Sequence, residues 1–167
     1  MNQLISYKDK DGFGREIFSL SLQNFDSLPQ KLELPNLHFA LFLACDAREI
    51  IDEVVEQFAR KVIDMGAVYV CTWGFDCERV HDDFDDVELM LEIDENRSLS
   101  MMSTWHDGDS LDEALWFALY SARSDDRYAD TCRSVLAVSV SNDDWDAQIR
   151  RRLSDLNRWN ADVLNKS

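Results

Sequence analysis

LHFALFLACDAREIIDEVVEQFARKVIDMGAVYVCTW, residues 37–73, is the stretch that decides the fold. Its first eight residues, 37–44, are an almost unbroken apolar run. Such runs are strands covered on both faces, as in parallel sheets. Asp46 and Glu49 have the spacing of an N-cap and its capping-box partner. Ile51, Val54, Val55, Phe58, Val62 and Met65 then recur at helical intervals, which predicts a helix of about 18 residues. Gly66 sits where a helix is stopped, and residues 67–73 form a second apolar strand. A strand–helix–strand unit of this length is a parallel crossover.

Downstream, the same alternation continues. Gly74 turns the chain, and residues 77–84 read as a short helix. Val87, Leu89, Leu91 and Ile93 alternate with polar neighbours, which favours a half-exposed strand over 87–93. A helix through 80–91 competes with it, because Val80, Phe84, Val87 and Leu91 also form a helical stripe. Residues 99–105 and 135–140 are further strands. Ser110 and Glu113 form a second capping box ahead of a helical face of Leu111, Leu115, Ala118, Leu119 and Ala122. Residues 124–133 read as a polar loop. Ser141 or Asn142 caps a last helix, whose buried edge is Trp145, Ile149, Leu153, Leu156 and Val163. Upstream, residues 17–23 alternate as a short strand. The prediction is an α/β, three-layer sandwich with a mostly parallel central sheet and one antiparallel strand. Residues 1–36 are expected to be an N-terminal extension packed on the core, and 37–167 a single α/β domain.

Composition limits the function. The chain has 167 residues, with 33 acids against 17 Lys and Arg and a formal net charge of -16. Direct nucleic-acid binding is disfavoured, since a nucleic-acid module must offset phosphate charge. No apolar run approaches the ~18 residues of a membrane span, and the first residues carry no secretory pattern. A cytoplasmic protein with no membrane partner is expected. Neither G-x-G-x-x-G nor a P-loop pattern occurs, and no cofactor is expected. Cys45, Cys71, Cys77 and Cys132 form no C-x-x-C pair, and they read as buried, reduced thiols. Cys71, Cys77 and His81 are a weak zinc alternative.

Two sets of candidate functional residues emerge. Residues 76–95 hold ten acids and one base, Arg79. So many like charges close together repel one another, and they suit the capture of a basic protein. Asp76, Glu78, Asp82, Asp83, Asp85 and Asp86 would steer it, with Trp73 and Phe75 as aromatic anchors. A nuclease toxin or a subunit of a defence system is such a partner, and an immunity or antitoxin-type inhibitor is the matching function. The alternative is a small metal-dependent or acid–base enzyme at the C-terminal strand ends, where open sheets place their ligands. His106 would be its general base, with Asp107 and Asp46 beside it. Arg150, Arg151 and Arg152 read as the outer face of a helix, paired with local acids.

The stretches 77–82 (CERVHD), 103–107 (STWHD) and 111–117 (LDEALWF) resemble an uncharacterised bacterial single-domain α/β family with no assigned activity. The resemblance spans roughly residues 37–155. It implies a compact bacterial domain and contributes no catalytic or ligand residues.

Overall fold

The computed structural model describes residues 3–165. Six strands form one sheet: β1 (Ile5–Lys10), β2 (Glu16–Leu22), β3 (His38–Ala44), β4 (Ala67–Trp73), β5 (Met102–Trp105) and β6 (Cys132–Val140). Their order is β1-β2-β6-β3-β4-β5. All neighbouring pairs are parallel except β1 with β2. The helices are α1 (Asp52–Asp64), α2 (Cys77–Asp94), α3 (Leu111–Tyr120), α4 (Asp143–Ser154) and α5 (Leu156–Asn165). The α/β three-layer sandwich with a mostly parallel sheet is therefore present, and its antiparallel strand is β1.

The layers follow from the direction of travel along the sheet. The path β3-α1-β4-α2-β5 steps one way, and the path β5-α3-β6 steps back past β3. Right-handed crossovers made in opposite directions place their helices on opposite faces. Accordingly, Phe39, Leu41 and Leu43 of β3 pack with Val55, Phe58 and Val62 of α1 and with Val80, Phe84 and Leu91 of α2. Ala40, Phe42 and Ala44, of the opposite parity, pack with Leu115 and Leu119 of α3, Ile149 and Leu153 of α4, and Trp159 of α5.

Several sequence expectations are corrected. Residues 87–93 are not a strand: α2 is one continuous helix of 18 residues. Its buried stripe is Val80, Phe84, Val87 and Leu91, whereas Leu89 and Ile93, inward partners in the strand reading, are 54% and 71% exposed. Asp46 caps no helix. Its carboxylate takes Arg48 Nε at 2.9 Å and Nη2 at 2.6 Å, and α1 starts at Asp52, with 13 residues. The last helix breaks at Asp155 (φ -150°, ψ 80°), so α4 and α5 are separate. Strand β1 was not foreseen. Only Ile5 and Tyr7 are apolar within ISYKDK, because an edge strand needs little inward surface.

The other local signals hold. Ser110 Oγ accepts from Glu113 N at 3.1 Å, and Glu113 Oε2 accepts from Ser110 N at 3.0 Å. Asn142 Oδ1 accepts from Trp145 N at 2.9 Å. Gly74 adopts φ +116°, where a Cβ would stand 2.0 Å from the Cys45 carbonyl oxygen; only glycine lets the β4–α2 turn pass so close to the end of β3. No described helix is long and apolar enough to cross a membrane.

Candidate functional site

β3 and β6 lie side by side, but α1 leaves β3 toward one face and α4 leaves β6 toward the other. That divergence opens a crevice outside the strand ends, the place where open α/β sheets bind ligands. A crevice of about 830 Å³ is found there. Phe25, Ile50, Val54 and Val140 give it an apolar floor, Trp145 a wall, and Asn24, Asp46, Glu49 and Asn142 a polar rim. Asp46 is held below the usual carboxylate range by the hydrogen bonds from Arg48. The Arg48 guanidinium also lies 3.9 Å from the Phe75 ring centroid. Strand-end reasoning selected Asp46, whereas Asn142 reads as a helix cap. Neither reading reaches Asn24 and Phe25, which come from the segment read as an extension.

A smaller hollow of about 270 Å³ adjoins it, lined by Trp73, Phe75, His106, Asp107, Asp109 and Trp145. His106 is buried under Phe117, with ring centroids 4.7 Å apart. Its Nδ1 is 2.9 Å from Asp109 Oδ2 and its Nε2 is 2.9 Å from Thr104 Oγ1. The acid that orients it is Asp109, three residues on, rather than Asp107. Trp73 stands edge-on to Trp145 at 4.9 Å and donates from Nε1 to the Asp109 carbonyl at 2.8 Å. Both ring nitrogens of His106 are thus engaged in fixing the β5–α3 turn.

The acidic residues divide by direction. Glu78, Asp82 and Asp86 fall on the solvent face of α2 together with Leu89 and Ile93, at helical spacing. Asp83 is turned inward. Burial, with Asp52 adding to it, pushes its carboxyl up to about 7. Asp76 and Asp52 both pair with Arg79, at 2.8 and 2.5 Å. Arg79 Nη2 also donates to the carbonyls of Ala47 and Ile50 in the β3–α1 loop. The one base of residues 76–95 is therefore used within the fold. Among the described residues, Glu78, Asp86, Glu92 and Asp94 form no ion pair. Asp85 Oδ1 accepts from Ser103 Oγ at 2.6 Å, next to edge strand β5, where Met102 and Trp105 are exposed.

The cysteine alternative does not assemble. Burial pushes the Cys71 thiol up to about 12 and raises Cys77 as well. Cys71 belongs to the α3 side of the core. The group of metal-capable side chains found among the described residues is His81, Asp82 and Asp85.

The fold and crevice define a doubly wound open α/β domain with an acidic helical flank. The chain belongs to the DUF7684 family, a domain of unknown function, whose family model matches residues 17–156. That match starts in β2, so it reaches further toward the N-terminus than the resemblance read from the sequence. A search of curated proteins returned no match.

Proposed function

We propose that the protein is a non-enzymatic binding protein of the immunity or antitoxin type, or an accessory subunit of a bacterial defence system, acting in the cytoplasm on a basic protein partner. The observation that carries this reading is the outer face of α2. Among the described residues its carboxylates Glu78 and Asp86 pair with no cation, because Arg79 is spent on the β3–α1 loop. Unneutralised charge raises the encounter rate with a basic surface. On the same helix, Leu89, Met90 and Ile93 are exposed, and apolar groups beside a charged rim supply the desolvated centre of an interface. A nuclease acting on a polyanion presents the matching basic surface.

The test is kinetic. Glu78→Lys with Asp86→Lys should slow association at least tenfold and flatten its salt dependence. Leu89→Ser with Ile93→Ser should instead speed dissociation. Unchanged association rates in the charge-reversed variant would remove this face from the function.

The strand-end crevice favours a second reading, an enzyme or small-ligand site. A ligand seated there would quench Trp145 fluorescence, and Trp145→Phe would abolish that signal without altering capture of the basic partner.

A further inference from the structure

The chain breaks at Asp155, and α5 packs beside α3 with a pocket of about 510 Å³ between them. This pocket lies on the α3 face of the sheet, opposite α2. Trp116 of α3 and Trp159 of α5 are its aromatic walls. The Trp116 ring is fixed in place. Its Nε1 donates to Asn160 Oδ1 at 3.3 Å, and its centroid lies 4.6 Å from that of Tyr120.

Trp159 is only 2% exposed. Among the described residues its indole Nε1–H donates to no acceptor, yet no side-chain nitrogen or oxygen sealed from solvent is left unpaired. The sliver of Trp159 that stays exposed therefore includes Nε1, and it opens on this pocket. An indole nitrogen is a donor only. A nearly buried donor without a partner is unfavourable, and a ligand oxygen would satisfy it.

The rim asks for the opposite charge. Asp109, Asp112, Glu113 and Asp162 line the pocket with one cation, Arg152. That guanidinium is committed to Asp112 at 2.6 Å and reaches Asp162 only at 3.5 Å. Glu113 is oriented by the Ser110 backbone N–H, which donates to Oε2. Among the described residues its other oxygen accepts nothing. Such a rim repels anions, and carboxylates beside fixed indole rings suit an organic ammonium. The volume is that of a small-molecule site.

We propose that this pocket binds a small organic amine that has an apolar body and a carbonyl oxygen. The ammonium faces Glu113 and Asp162, the body lies against Trp116, and the oxygen accepts from Trp159 Nε1. This inference is independent of the basic-partner reading, which concerns the opposite side of the sheet.

The experiment titrates the full chain by calorimetry at pH 6, where an α-amine is charged, with three related probes. Phenylalaninamide has all three features, 3-phenylpropanamide lacks the ammonium, and 2-phenylethylamine lacks the carbonyl. Phenylalaninamide should bind with a Kd of about 0.1 to 1 mM, as its size allows. Each of the other two should bind about tenfold more weakly. Glu113→Gln, which keeps the capping box, combined with Asp162→Asn should erase the preference for the ammonium. Trp159→Phe should erase the preference for the carbonyl and keep that for the ammonium. Trp145→Phe, in the strand-end crevice, should change nothing. The comparison of probes on the unaltered protein stands even if Trp159→Phe fails to fold. No saturable binding of phenylalaninamide up to about 10 mM, or equal affinity for 3-phenylpropanamide, overturns the proposal. So does a carbonyl preference that survives in folded Trp159→Phe.

Discussion

Arg79 Nη1 stands 3.5 Å from Asp83 Oδ2, one turn along α2, and both side chains face α1 and the β3–α1 loop rather than solvent. The contact is long because Asp52 and Asp76 hold the same guanidinium more closely. Asp83 is therefore an acid inside an acidic neighbourhood with only a share of one cation.

A pH dependence follows from that position. Burial first, and then Asp52, raise the folded-state value of Asp83 from 3.8 to about 7. Between those two values the folded state holds a proton that the unfolded chain has released. The contribution of Asp83 to stability therefore falls as pH rises from about 4 to about 7, and it is level above. Asp83→Asn should remove this slope. Denaturant midpoints of the two proteins measured at intervals over that range should diverge in favour of the variant as pH rises. Parallel curves would show that Asp83 ionises normally.

Arg79→Met should destabilise the protein by about 2 to 3 kcal/mol, since it leaves the Ala47 and Ile50 carbonyls and the Asp52 and Asp76 carboxylates without their donor. Amide exchange should rise first in the β3–α1 loop. A loss under about 0.5 kcal/mol, as for an ordinary surface site, would mean that water replaces the guanidinium freely.

Asp112 on α3 receives Arg152 at 2.6 Å and Gln148 at 2.9 Å from α4. Burial opposes its ionisation, but these donors win and hold its carboxyl below the usual range. The link thus stabilises above the ordinary carboxylate range and is lost as pH falls through the folded-state value. Asp112→Ala should cost about 1 to 2 kcal/mol at neutral pH, with the difference shrinking in acid. Urea titrations at neutral and acidic pH check both parts.

His106→Ala should cost about 2 kcal/mol by freeing Thr104 Oγ1 and opening space beside Phe117. Binding of a basic partner on α2 should be unchanged. A larger effect on binding than on melting temperature would move the site toward the strand ends.

Much of the fold was legible because apolar parity is strong in the buried strands. Residues 37–44 and 67–73 alternate between two helical layers, as strands covered on both faces do, and their shortness and flanking turn residues favour strand over buried helix. Residues 87–93 misled because Leu89 and Ile93 are apolar yet exposed, and they mimic a period of two on a helix. The very residues that spoiled the reading belong to the face proposed for binding. The acidic face was legible as composition, but its direction was not: Asp83 and Asp86 differ only in which way three residues of helix turn them. His81, Asp85 and Ser103 could not be joined from sequence, since 18 residues and a layer change separate the last two.

The most direct test of the central claim is a paired isolation from the native host, with wild-type protein and the Glu78→Lys, Asp86→Lys variant, at low and high salt. The account predicts one stoichiometric basic protein that is retained by wild type at low salt, released at high salt, and not retained by the variant. The same set of proteins on both baits, at both salt concentrations, would contradict it.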